Sequence, residues 1–128
     1  MASLRQNEFS GAVLDSAIQV HAALGPGLPE SAYQHCLAFE LTSRGLAVET
    51  ELPLPIVYRD TRLDAGYRLD LVVEKLVIVE VKAVEKLVPI HEAQLLSYLK
   101  LSGLKLGLLI NFNVLRSKDG FKRLVNGL

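Results

Sequence analysis

The sequence predicts a mixed α/β or α+β domain in which helices pack against a central sheet. Two changes of hydrophobic period carry this reading. Apolar residues recur at helical spacing up to Gly45, alternate at strand spacing through Lys82, and return to helical spacing in "PIHEAQLLSYLKLSG" before another apolar run, "KLGLLINF". The size agrees: 128 residues, 50% hydrophobic and 22% charged, fit one domain, 1–128, around one core.

The first helix is expected over Asn7 to Leu24, with Val13, Leu14, Ala17, Ile18 and Ala22 on its packing face, and "GPG" at 25–27 stops it. A second begins near Pro29, because proline suits the first helical position and Glu30 favours the first turn. It ends at "SRG", where Gly45 can take the left-handed cap, and Tyr33, Leu37 and Leu41 face inward. Ala47 to Tyr58 is extended, and Pro53 and Pro55 mark it as an edge or irregular strand. "RDTRLDAG" reads as a turn leading into a strand from Tyr67 to Val73. Leu76 to Lys82, apolar on both faces until its end, has the pattern of a central strand. The third helix starts near Pro89, buries Ala93, Leu96 and Leu99 or their neighbours, and closes at Gly103; "FKRLV" is a short last element.

Fourteen basic residues balance fourteen acidic ones. That balance excludes a protein that coats nucleic acid by bulk attraction, so a polyanion would need a local basic patch or a metal ion. The lone Cys36 cannot form an intramolecular disulfide and reads as a small core residue. The N-terminal residues lack the apolar core of a signal peptide, and no apolar run reaches the about 18 residues of a membrane span, which points to a cytoplasmic protein.

The charges in "YRLDLVVEKLVIVEVK", Tyr67 to Lys82, interrupt this apolar hairpin. Glu80 and Lys82 are two apart on a strand, so they leave the same face about 7 Å apart, beyond Leu76 and Ile78. Asp70 joins them only in one register. A strict two-residue turn at Glu74 and Lys75 sets Asp70 opposite Val79 and away from Glu80; an odd-length connection or a bulge sets it opposite Ile78, on the shared face. Two converging carboxylates repel unless a cation lies between them, and oxygen ligands suit Mg²⁺ or Mn²⁺. A lysine beside such an ion can position water or stabilise phosphate charge, which fits metal-assisted phosphodiester hydrolysis.

Asp70, Glu80 and Lys82, with Val81 between the last two, resemble the signature of the PD-(D/E)XK nuclease superfamily. "GLPESAY", Gly27 to Tyr33, is similar to the Gly-x-x-Glu-x-x-Tyr signature of one bacterial and archaeal family within it. Gln94 and Tyr98 resemble the Gln-x-x-x-Tyr motif of its RecB-like and lambda-exonuclease-like branches. The resemblance runs over about residues 8–126 and implies a restriction-endonuclease-like core. Residue by residue, it implies Asp70, Glu80 and the Val81 carbonyl as metal ligands and Glu30 as a helix-borne acid completing the site, sometimes through water. Lys82 would be the catalytic lysine, with Gln94 and Tyr98 orienting it or the phosphate. The proline of "PD" is replaced by Leu69. The implied activity is that of a nuclease acting on nucleic acid, in the first instance DNA, with a homodimer or protein partner supplying what so small a chain lacks. The competing reading is a catalytically silent module that keeps the fold and binds nucleic acid or a protein.

Other candidates carry less. Tyr33 reads as a core and hydrogen-bonding residue. His35 and Cys36 diverge by about 100° on a helix and make no nucleophile–base pair. His21 and His91 lack zinc-ligand spacing, although His91 is a candidate for touching substrate. Arg116, Lys118, Lys122 and Arg123 form a basic turn that could contact phosphate.

Overall fold

The computed structural model describes residues 4–127; residues 1–3 and 128, which the single-domain expectation includes, lie outside the described residues. The elements are α1 (Leu4–Leu24), α2 (Glu30–Ser43), β1 (Val48–Pro53), β2 (Ile56–Tyr58), β3 (Thr61–Leu63), β4 (Arg68–Val73), β5 (Val77–Lys82), α3 (Pro89–Ser102), β6 (Leu106–Asn111), a 3₁₀ turn (Ser117–Gly120) and β7 (Phe121–Val125). The main sheet has the order β1-β4-β5-β6-β7. Only β5 and β6 are parallel, and α3 makes the crossover between them. A mixed central sheet flanked by helices is the predicted architecture, and Leu76 to Lys82 supplies its middle strand.

Helices α1 and α2 cover one face. Val13, Ala17, Val20, Tyr33, Leu37 and Leu41 meet Leu71, Val73, Val77, Val79 and Val81 there. On the other face α3 lays Leu95, Tyr98 and Leu99 over Val72, Ile78 and Leu109. β5 and β6 are buried on both sides, as their unbroken apolar runs require.

Several inward residues differ from expectation for one reason: two apolar stripes compete on each helix, and the sheet selects one. On α1 the buried line is Ser10, Val13, Ala17 and Val20, so Ile18 is 41% exposed and Ala22 faces outward. On α3 Leu95, Tyr98 and Leu99 are buried while Ala93 is exposed. Cys36 is exposed, not a core residue, because Tyr33, Leu37 and Leu41 occupy the buried side of α2 and a step of about 100° carries position 36 past its edge. "RDTRLDAG" is more than a turn. Tyr58 pairs with Thr61 across Arg59 and Asp60, whose φ values of 50° and 60° close a two-residue hairpin loop of the primed kind. Arg-Asp lacks the Asn-Gly signal that usually announces such a loop.

Tyr33 organises the entry to α2. Its ring stacks on Phe112 at 4.6 Å, and its hydroxyl donates to Gly25 O at 2.6 Å while accepting from Leu28 N at 3.0 Å. The tyrosine thereby staples the "GPG" loop, in which Gly25 and Gly27 take φ of 67° and 103°, and fixes where Glu30 begins the helix.

At the end of β6, Asn111 accepts from Val84 N and Asn113 N and donates to Val84 O, tying the loop after β5 to the strand beside it. Gly120 packs directly on the Asn111 backbone, where a Cβ would meet the carbonyl oxygen. Gly120→Ala should therefore lower stability by about 1–3 kcal/mol in urea unfolding through overpacking. Gly11→Ala, in the exposed interior of α1 with open space around a Cβ, should raise it by about 0.5–1 kcal/mol.

Candidate metal and phosphodiester site

The site begins at the turn between β4 and β5. Glu74 and Lys75 take φ of 53° and 56°, and Leu76 N donates to Val73 O at 3.0 Å, closing a tight turn. Val73 nevertheless pairs with Val77, so Leu76 is one residue too many and forms a bulge. The connection is three residues long, of the odd parity that a shared face requires. The partner differs from the expected Ile78: Val72 faces Ile78 and Leu71 faces Val79, so continuing the register sets Asp70 opposite Glu80 itself.

At that level the ladder stops and carboxylates take over its hydrogen bonds. Val81 N donates to Asp70 Oδ2 at 2.8 Å, and Asp70 N donates to Glu80 Oε1 at 3.2 Å. The β1–β4 ladder also skips a rung there: Thr50 pairs with Leu71 and Leu52 with Leu69, while Glu51, at φ 50°, and Asp70 do not pair. Gln34, from α2, fills the gap by donating to Glu51 Oε1 at 2.7 Å and Asp70 O at 3.4 Å. Leu69 packs on the α3 side with Val72, whereas Leu71 and Val73 pack on the α1–α2 side, so β4 loses its alternation at Asp70. Both ladders around β4 thus open at one point, and the two acids stand in the opening.

Burial makes that point electrostatically unfavourable for free carboxylates. Glu80 is 4% exposed, and burial together with the neighbouring Asp70 charge pushes its carboxyl from the ordinary 4.5 up to about 8. Asp70 is also raised, chiefly by burial, with Glu51 adding to the shift and the Val81 amide and Lys82 opposing it. Tyr98 is raised as well, by burial first and then by the charges of Glu80 and Asp70.

Lys82 lies two residues beyond Glu80 on the α3 side, and its Nζ donates to Gln94 Oε1 at 3.3 Å. Gln94 therefore meets the lysine, and Tyr98, one turn further along α3, feels the charge of the acids. Glu30 arrives from the opposite layer: at the start of α2, its Oε2 accepts from Ala83 N, just past the end of β5, at 3.2 Å. Val81 is 1% exposed; its N–H points toward β4, and strand geometry sends its C=O out of the same edge. The structure thus gathers Asp70, Glu80, Lys82, Gln94 and Tyr98, and binds Glu30 to the same strand end by its backbone.

Among the described residues, no three His, Cys, Asp or Glu side chains form a ready-made metal cage. The donors present still fit a hard divalent cation: two adjacent carboxylates, one buried and one half-buried, raised in pKa and all-oxygen, match ions that keep several waters and take one or two protein carboxylates.

The remaining candidates lie elsewhere. His91 Nδ1 accepts from Val88 N at 3.1 Å and so caps the start of α3, and His21 Nε2 is 2.6 Å from Val114 O. Lys122 lies 3.7 Å from Glu92, and Arg123 donates to Asn7 Oδ1 at 3.0 Å. Sequence reasoning missed Gln34 and Glu51. Neither carries a pattern separating it from an ordinary helix or strand residue, because their roles follow from a rung that is missing in three dimensions.

No curated protein and no solved structure matches the chain. A family model described as the PD-(D/E)XK nuclease superfamily matches residues 7–124. The match takes in β4, β5 and α3 and so the whole opening between the strands, and the chain belongs to the PD-(D/E)XK nuclease superfamily.

Proposed function

We propose that this protein is a metal-dependent nuclease that hydrolyses phosphodiester bonds, in DNA, and that it belongs to the branch of the superfamily marked by Gly27, Glu30 and Tyr33. One observation carries the reading. Asp70 and Glu80 face each other where both ladders of β4 open, and burial raises both carboxyls, so the fold by itself disfavours charging them together and a bound cation would offset that cost. The positions of Glu30 at the head of α2 and of Tyr33 as the staple of the preceding loop support the branch assignment.

Asp70, Glu80 and the Val81 carbonyl would hold Mg²⁺ or Mn²⁺, with Glu30 reaching it through water. A bound divalent ion supplies Lewis-acid polarisation of a phosphoryl oxygen and lowers the pKa of a water. The chain's own groups do the rest. Lys82, positively charged and steadied by Gln94, orients the attacking water and offsets charge on the phosphate. Tyr98, whose hydroxyl is raised in pKa and so stays protonated, would donate to a phosphate oxygen. The Val81 amide keeps Asp70 aimed at the opening.

The first test is cleavage of single- and double-stranded DNA in Mg²⁺ and in Mn²⁺. Glu80→Ala or Lys82→Ala should lower the rate at least about 100-fold, and Gln94→Ala less, because it acts through the lysine. Cleavage that survives Glu80→Ala sinks the reading, and metal-independent DNA binding without cleavage favours a silent nucleic-acid-binding module instead.

The raised carboxyls also predict a pH dependence. Without metal the folded protein prefers Glu80 protonated, so its contribution to stability is complete below the ordinary 4.5 and is lost as pH rises toward about 8. The melting temperature in EDTA should accordingly fall across that window. Mn²⁺ added near the top of it should restore stability, and Glu80→Gln should remove both effects. A melting curve indifferent to pH and Mn²⁺ would count against a buried acid pair.

A further inference from the structure

Beside the acids lies a small cleft that the chemistry above does not use. Its space of about 250 Å³ is lined by Ile56, Tyr67, Gln94, Ser97, Tyr98 and Leu101. That is below the range of about 300–1,000 Å³ typical of pockets for drug-sized ligands, so it suits a single ring system. Tyr67 forms one wall. Its ring centroid is 6.5 Å from that of Tyr98 at an angle of 51°, a tilted contact, and the residue is 45% exposed. Its backbone is held: Tyr67 O accepts from Leu54 N at 3.0 Å and from Arg68 Nη1 at 2.9 Å, three residues before Asp70. Of the other lining residues, Ile56 and Leu101 are apolar, while the Ser97 hydroxyl and the Gln94 amide supply hydrogen-bonding groups.

Two side chains of the cleft belong to the phosphodiester site. Gln94 holds Lys82, and Tyr98, one turn further along α3, lies near enough to Glu80 and Asp70 to feel their charge. A nucleotide with its phosphate at Lys82 would therefore carry its base past Gln94 onto Tyr67. An open aromatic face, apolar walls and an amide at the edge are the means by which proteins hold an unpaired base. A base inside a duplex has both faces covered by its neighbours and cannot lie on Tyr67 unless it leaves the stack.

We propose that Tyr67 is the stacking platform for one unpaired nucleobase next to the scissile phosphate, and that the substrate is single-stranded or frayed DNA. This rests on the nuclease reading of the neighbouring acids, and its test is read from binding alone. A short single-stranded oligodeoxynucleotide carrying 2-aminopurine, and a duplex of the same sequence, are titrated with protein in Ca²⁺. With wild type and Tyr67→Phe, the 2-aminopurine fluorescence of the single strand should be quenched. Tyr67→Leu should lose the quenching and bind the single strand about ten-fold more weakly, with duplex binding unchanged. The proposal is overturned if Tyr67→Leu binds and quenches like wild type, if single strand and duplex lose affinity equally, or if wild type does not bind the single strand. Absence of cleavage in Mg²⁺ would overturn the nuclease reading while leaving this result standing.

Discussion

One surplus residue governs the central strand pair. Leu76 sits between a closed turn and the first rung of the β4–β5 ladder, and its insertion shifts every later pairing by one. Side chains alternate with a period of two, so a shift by one exchanges the faces of a whole strand. Without Leu76 as a bulge, Asp70 would face away from Glu80 and no acid pair would exist. With it, the apolar part of the ladder still matches, Val73 to Val77 and Leu71 to Val79, and the hydrophobic core holds the register that the acids need. Burial of those valines and leucines, each worth about 1.5–3 kcal/mol, stabilises an arrangement that the carboxylates alone would oppose.

Around the opening, polar side chains take over hydrogen bonds that the strands no longer make. A buried amide without a partner costs about 1–3 kcal/mol. Asp70 satisfies the Val81 amide, Glu80 that of Asp70, Glu30 that of Ala83, and Gln34 bonds the Asp70 carbonyl. The same bonds aim the carboxylates. The sheet can therefore end its pairing at this level without orphaned backbone groups, and the acids are fixed before any ligand arrives. The remaining cost is the proximity of two acids in a poorly solvated place, where burial raises both pKa values and the Asp70 charge raises that of Glu80 further. Groups whose pKa values are perturbed in this way cluster at functional sites, and here they lie between two strands of the main sheet.

Much of this was legible in the residues. The change of period located the helices and strands, Pro29 and Gly45 bracketed α2, and Glu80 with Lys82 placed two charges on one face of a strand that is otherwise apolar. The parity of the turn could be stated as a condition. Other features were not legible. Ile18, Ala22 and Cys36 turned outward because a helix with two apolar stripes can bury either, and only the partner surface chooses. The β2–β3 hairpin was hidden because Arg59 and Asp60 adopt positive φ without glycine or asparagine to signal it.

What the sequence determined by itself was the kind and order of the groups: two helices, a strand with Asp70, a strand with Glu80 and Lys82, and a helix with Gln94 and Tyr98. These follow from local periodicity and from residue chemistry, which neighbours along the chain are enough to express. Only the tertiary structure decided that Asp70 stands opposite Glu80, that Glu30 reaches the end of β5 from the far layer, and that Tyr67 borders a cleft beside Lys82's partner Gln94. Those placements depend on register, bulges and skipped rungs, each settled by the packing of residues distant in the chain.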